Sequence, residues 1–339
     1  MVRKIGSNAA DVFIDHMLLC NIFRSICHAL PWEWFFCIVK RKGVGKMKKP
    51  VPRIAALHDL SGFGRSSLTI ILPVLSTMGV QVCPLPTALL STHTGGFEDY
   101  FFLDLTPQMQ PIANHWKKLK VDFDAIYSGF LGSSLQVEIV RNFIDDFRPR
   151  NGDGLIMVDP VLGDDGELYG PFEKDMVVQM RRLVEKADII TPNITEAALL
   201  LERDFNDILN VEEVKDQLRA LSDLGPAMVV LTSVRTESKP EVSTVLAYDR
   251  SDGRFWKVEC DYVPAFYPGT GDLFASVLLG SLLQGDSLPI AIERAVQFVS
   301  LSIRATFGYQ EPHRDGVLFE RVLGSLSAPL VVSSYQVLE

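Results

Sequence analysis

From Arg53 onward the chain alternates short apolar, β-rich runs with longer stretches of helical period, and this alternation limits the fold more than any other feature. Strands are predicted at 54–57, 81–85, 125–127, 155–158, 188–190 and 228–231. Most are apolar throughout, as strands covered on both faces must be. Helices are predicted between them at 67–78, 108–118, 135–147, 174–186, 196–201 and 211–224. Successive βα units of this kind form a mostly parallel sheet with helices on both faces. The predicted fold class is therefore α/β, a three-layer αβα sandwich. Near residue 240 the pattern changes. Runs at 242–248 and 255–260 flank Asp249-Arg250-Ser251-Asp252-Gly253, a turn-rich spacer that predicts a β-hairpin in the C-terminal half. Two long helices follow, at 272–283 and 289–307, the second opened by Pro289, a residue suited to a first helical turn.

No internal repeat, low-complexity tract or linker divides residues 48–325, which read as a single domain followed by a C-terminal tail, 326–339. Residues 1–47 read differently, as an extension. Its apolar run from Val12 to Val39 is broken by Asp15, His16, Arg24 and Glu33, so it makes a poor membrane span, which needs about 20 largely uncharged residues. It also lacks the order of a signal peptide. Met47 is read as the biological start and the residues before it as a flexible or artefactual extension. The formal net charge of -9 offers no footprint for nucleic acid or an acidic membrane, and points to a small-molecule substrate. The five cysteines (Cys20, Cys27, Cys37, Cys83 and Cys260) form no CxxC pair and no metal-ligand spacing, as expected of reduced thiols in a cytoplasmic protein.

In an open α/β sheet, ligands bind beyond the carboxyl ends of the strands. The segments that follow the predicted strands are polar at every end: His58-Asp59-Leu60-Ser61-Gly62, Thr87 leading to Ser91-Thr92-His93-Thr94-Gly95-Gly96, Ser128-Gly129, Asp159-Pro160, Thr191-Pro192-Asn193 and Thr232-Ser233. One continuous polar rim is expected. The sharpest local signal is Pro268-Gly269-Thr270-Gly271-Asp272. Its glycines allow a tight turn into an apolar-periodic helix whose first N–H groups would face an anion, while Asp272 could take a proton from a hydroxyl attacking phosphorus. Alone, Gly-X-Gly-Asp reads more simply as an aspartate N-cap. Asn193 and Glu196 equally fit two roles, a capping box and oxygen donors near a metal-bound triphosphate. Asp159 and Asp164 bracket another strand end. There is no Walker A sequence, and Ser61-Gly62-Phe63-Gly64 is too short for a dinucleotide fingerprint.

In this order the segments Ser91-Thr92-His93-Thr94-Gly95, Asp159-Pro160-Val161-Leu162-Gly163-Asp164, Ile189-Ile190-Thr191-Pro192-Asn193 with Glu196, Val230-Leu231-Thr232-Ser233 and Gly269-Thr270-Gly271-Asp272 resemble the ribokinase-like superfamily, most closely its pyridoxal/pyridoxamine kinase branch. The resemblance covers residues 53–310. It implies a ribokinase-like fold, ATP and Mg2+ with a monovalent cation such as K+, and phosphorylation of the 5′-hydroxymethyl group of pyridoxal, pyridoxine or pyridoxamine. Asp272 would be the catalytic base and Gly269, Thr270 and Gly271 the anion hole. Asp159, Thr191, Asn193, Glu196, Thr232 and Ser233 would hold the nucleotide, with Asp159 and Glu196 beside the metal. Asp59, Ser61, His93, Thr94 and Phe130 would meet the acceptor. A homodimer is also implied, with no nucleic-acid or membrane partner.

Two positions depart from that branch. Asp59-Leu60-Ser61-Gly62 is closer to the hydroxymethylpyrimidine kinases, and Phe130 stands where a tyrosine is common. The resemblance therefore divides over the acceptor, between a vitamin B6 compound, which His93-Thr94 favours, and hydroxymethylpyrimidine. A non-catalytic ligand-binding protein on the same scaffold is the alternative of another class, and the intact Asp272 and Glu196 argue against it. A sugar kinase usually brings a larger lid than the spacing from Leu57 to Gln81 accommodates.

Overall fold

Six parallel strands carry the centre of a computed structural model that describes residues 51–148, 154–170, 174–206, 208–236, 239–260, 267–309, 311–328 and 334–338. The extension 1–47 lies outside the described residues. In chain order the elements are β1 (Arg53–Phe63), α1 (Leu68–Thr77), β2 (Gln81–Thr92), β3 (Phe102–Asp104), α2 (Thr106–Lys118), β4 (Ala125–Ser128), α3 (Ser134–Phe147), β5 (Leu155–Val158), β6 (Gly163–Asp164), β7 (Glu167–Leu168), α4 (Lys174–Val184), β8 (Ile189–Ile190), α5 (Ile194–Leu201), β9 (Ile208–Leu209), α6 (Val211–Asp223), β10 (Met228–Thr236), β11 (Lys239–Asp249), β12 (Arg254–Cys260), α7 (Thr270–Gln284), α8 (Leu288–Phe307) and β13 (Gln336–Leu338).

The parallel strands lie in the order β2-β1-β4-β5-β8-β10, so the winding reverses on either side of β1. The antiparallel ribbon β11-β12-β13 extends one edge and β3 closes the other. Alternation along each strand divides its side chains between two cores. Ala55, Leu57, Ile126 and Val158 face α2 to α6. Ile54, Ala56, Tyr127 and Met157 face α1, α7 and α8. The helices present matching stripes. In α3, Val137, Val140, Ile144 and Phe147 recur at helical spacing and are buried, each such side chain stabilising by about 1.5–3 kcal/mol. The Ser133 hydroxyl accepts from Gln136 N and caps that helix.

The three-layer α/β sandwich and the C-terminal-half hairpin are as the sequence predicts. Three features differ. First, β1 and β2 run well past Leu57 and Leu85, pairing as far as Phe63 and Thr92 across a bulge at His58/Leu60. Pro84 and Pro86 lie within β2, but β3 pairs with it only from Ala88, so the missing N–H groups face an open edge. Second, β10 continues to Thr236 instead of ending at Leu231, because a bulge at 232–233, with Ser233 at φ 58°, absorbs the irregularity. Third, the segment read as a tail supplies β13. Val51–Glu339 form one compact unit.

Candidate active site

The rim above β1, β4, β5, β8 and β10 collects the predicted residues through strand register. Asp59 and Ser61 stand on the extended part of β1, while His93 and Thr94 follow its partner β2. Asp159 follows β5 and is tied to β4 by its N–H to the Ser128 carbonyl, 2.8 Å. Thr191 and Asn193 follow β8, and Asn193 bridges to Thr232 on β10. Phe130 follows β4, its carbonyl accepting from the Thr87 hydroxyl at 3.1 Å.

The glycine turn enters a helix that begins earlier than predicted, at Thr270, with Gly269 as its N-cap at φ 80°. Only glycine fits there: a Cβ would lie 2.2 Å from the Arg65 carbonyl oxygen. The first turn of α7 is thereby pressed against the turn leading into α1. Across that contact Ser67 N donates to Asp272 Oδ2 at 2.8 Å. One carboxylate oxygen is thereby anchored. Asp272 keeps partial exposure, yet the protein packed around it pushes its pKa up to about 7, against the backbone hydrogen bond, with the charges of Asp159 and Asp59 adding to the rise.

Four more carboxyl groups share the cleft. Asp59 is buried, accepting from the Ser67 hydroxyl on Oδ1 and from Ser61 on Oδ2, the latter at 2.9 Å. Burial raises its pKa while those hydroxyls oppose the rise. Asp159 is buried, accepts from Thr191 Oγ1 at 3.1 Å, and is pushed up to about 7 by desolvation. Glu196 is raised well above the ordinary carboxylate range, first by burial and then by the Asp159 charge. Asp164 is raised by burial as well. Such a cluster of like charges is costly in isolation and suits a bound cation. Asn193 and Glu196 form the complete capping box, each side chain accepting the other's backbone N–H at 2.8 Å, and Glu196 also accepts from Leu162 N. The box locks the Glu196 carboxylate beside Asp159, so the capping role positions the acid. Among the described residues no group of three or more His, Cys, Asp or Glu side chains gathers around a metal position. Asp159 and Glu196 nonetheless fit magnesium held mainly through water and phosphate oxygens.

His93 is buried, with Nδ1 accepting from Gly95 N at 3.1 Å and Nε2 facing the Arg314 carbonyl at 2.6 Å. This is a neutral imidazole carrying its proton on Nε2, and both nitrogens hold backbone. Its ring is packed edge-on against Phe97. Thr94 is exposed on the same loop.

Two site residues were missed in the sequence. Ser67 read as the first helical residue, and nothing local indicates that it joins Asp59 to Asp272. Tyr169 lies just beyond the small β6-β7 hairpin; its ring is exposed, while the protein around its hydroxyl and the charges of Glu196, Asp164, Asp159 and Asp272 raise the hydroxyl's pKa. The Asp165-Gly166 turn was the available signal for a hairpin that returns Tyr169 to the rim.

Comparison with known proteins identifies the family of this fold. The family model for phosphomethylpyrimidine kinase matches residues 72–315. A Bacteroides thetaiotaomicron protein assigned as a phosphomethylpyrimidine kinase, crystallised with pyridoxal, is 54% identical, with a TM-score of 0.82, covering 85% of this chain and 100% of that one. The pyridoxal kinase of Lactobacillus plantarum is 32% identical, with a TM-score of 0.75 over 82% of this chain and 97% of its own. The pyridoxal kinase of Arabidopsis thaliana is 28% identical over 240 residues, 68% of this chain and 75% of that protein. The sheet and its flanking helices are thus shared architecture, and with residues 72–315 matched by its model the chain belongs to the phosphomethylpyrimidine kinase family.

Proposed function

We propose that the chain transfers the terminal phosphoryl group of ATP to the 5′-hydroxymethyl group of pyridoxal, pyridoxine or pyridoxamine. The observation that carries this reading is Asp272, anchored through one oxygen at the mouth of α7, with its pKa near 7 and so suited to accept a proton at neutral pH. The acceptor hydroxyl gives its proton to the free carboxylate oxygen as its own oxygen forms the new bond to the terminal phosphorus. The bond from that phosphorus to the bridging oxygen breaks, and ADP leaves with the electron pair. N–H groups of the Gly269-Thr270-Gly271 turn face the phosphoryl oxygens and stabilise their charge.

Asp159 and Glu196 would hold magnesium, with Thr191, Asn193, Thr232 and Ser233 lining the nucleotide. Bound magnesium would neutralise phosphate charge and fix the triphosphate in line. A monovalent cation such as K+ belongs to the same reading, with Asp159 and Thr191 as oxygen donors. Asp59, Ser61, His93, Thr94 and Phe130 would contact the acceptor. The pyridoxal bound to the 54% identical Bacteroides protein favours a B6 acceptor. The Asp59-Leu60-Ser61-Gly62 segment and the family model keep hydroxymethylpyrimidine as a second reading. Among the described residues no helix is long and apolar enough to cross a membrane, and we place the protein in the cytoplasm. A homodimer is supported by the apolar, exposed edge at Phe101, Phe102 and Leu103.

The test is turnover on pyridoxal, pyridoxine, pyridoxamine and hydroxymethylpyrimidine side by side, together with Asp272→Ala. We expect the B6 compounds to be preferred. The variant should lose about two to four orders of magnitude in kcat while ATP binding persists. Preference for the pyrimidine would move the protein to the second reading, and near-normal turnover by Asp272→Ala would remove the assigned base.

A further inference from the structure

Ser67 occupies the N-cap of α1, where a serine ordinarily turns its hydroxyl onto the helix's own N–H groups. Here it makes no side-chain cap. Its hydroxyl donates instead to Asp59 Oδ1, and its N–H donates to Asp272 Oδ2 at 2.8 Å. To make both bonds the backbone sits at φ 46°, ψ -128°, a region open to glycine and costly for a residue with a Cβ, about 1–3 kcal/mol. Glycine would hold the N–H to Asp272 without strain. What glycine lacks is the hydroxyl, and a strained serine that forgoes its cap points to a use for that hydroxyl.

We propose that Ser67 is a positioning residue that fixes the acceptor-side carboxylate of Asp59 and the base Asp272 in one geometry through its hydroxyl and its N–H. This rests on the phosphoryl-transfer reading above. The two carboxylates arrive from different elements, Asp59 from β1 and Asp272 from α7, and Ser67 is hydrogen-bonded to both. Its surroundings leave little room for drift. Ser61 holds the other oxygen of Asp59, and the α7 turn at Gly269 abuts the Arg65 carbonyl two residues earlier. An acceptor engaged by Asp59 is thus placed at a fixed offset from the oxygen that removes its proton, the kind of alignment that affects the chemical step more than binding.

The decisive variant is Ser67→Gly, which keeps the N–H, relieves the strain and deletes the hydroxyl. If Ser67 is only structural, this variant is as stable as the native chain or more so, and kcat is unchanged. If it positions the two acids, kcat falls by about tenfold with KM for ATP unchanged, despite undiminished stability. Ser67→Ala should lose similar activity while retaining the strain. In an Asp59→Asn background, Ser67→Gly should add little to the loss. Full kcat in Ser67→Gly overturns the inference while leaving the kinase reading intact. Should the native chain phosphorylate none of the acceptors, the kinase reading fails on its own. The double-mutant cycle of Ser67→Gly and Asp59→Asn in unfolding midpoint then decides whether the two residues are coupled, and additive shifts overturn the inference.

Discussion

At the residue scale the site is a set of carboxyl groups held more weakly acidic than in water, and this has a sign in stability. Asp159 and Asp272, each pushed up to about 7 chiefly by desolvation, bind protons in the folded chain at pH values where the unfolded chain has released them. Their stabilising contribution is complete below the ordinary carboxylate range and is lost as pH rises toward 7. The unfolding midpoint of the ligand-free protein should therefore decline between about pH 4 and pH 7 by this term, and Asp272→Asn should flatten the decline and raise the midpoint at pH 8. Thermal unfolding across that range checks it, and an unchanged slope in the variant would refute the assigned shift. Asp159 was legible as a candidate because it directly follows the apolar run 155–158, Glu196 because it stands at the capping spacing from Asn193, and Asp272 because it follows Gly269-Thr270-Gly271 at the start of an apolar-periodic helix. His93 was legible as a candidate on the polar rim. Its two backbone hydrogen bonds were not, since they depend on Gly95 and on the distant Arg314.

At the element scale the sequence described the centre of the sheet well and its periphery less well. Strands buried on both faces announce themselves as continuous apolar runs, and β4 and β5 were located to within a residue. The outer reaches of β1 and β2 carry mixed burial, prolines and polar residues, so they read as loops, although they pair as far as Phe63 and Thr92. Ser67 was hidden for a related reason, because local spacing reveals a helix start and not the distant carboxylates to which its N-cap turns. The junction between α1 and α7 makes the glycine at 269 the most constrained position of the motif. At φ 80°, with the Arg65 carbonyl oxygen 2.2 Å and Ile70 Cδ1 2.7 Å from a would-be Cβ, Gly269→Ala must push apart the turn that holds Ser67 and the helix that holds Asp272. We expect a loss of about 1–3 kcal/mol in stability and a larger proportional loss in kcat than in ATP affinity, measured by denaturant unfolding and steady-state kinetics. Gly271→Ala meets nothing within 4 Å and serves as the control that should fold normally.

At the scale of the whole molecule the sheet is finished by residues that no periodic pattern marks for inclusion. The last strand, β13, is three residues long and largely exposed, so no periodic pattern marks it. Its place is set by distant contacts. Gln336, Val337 and Leu338 pair with β12, Tyr335 packs edge-on against Trp256, and Ser334 donates to Glu293 on α8 from both its N–H and its hydroxyl at 2.9 Å. Glu293 is 2% exposed, and Gln297 is its other hydrogen-bond donor on the same helix, at 2.8 Å. Removing residues 329–339 would leave a buried carboxylate with one of three hydrogen bonds, a loss of about 2 kcal/mol or more, because an under-satisfied buried charge keeps most of its desolvation cost. β13 lies three strands beyond β10, so the cleft itself is not dismantled. The truncated chain should unfold at lower denaturant yet keep its kcat below that point, and Glu293→Gln should recover part of the lost stability in the truncated chain by removing the charge. If truncation left the unfolding midpoint unchanged, or if the glutamine gave no recovery, the buried Glu293 would not be what makes the terminal strand necessary.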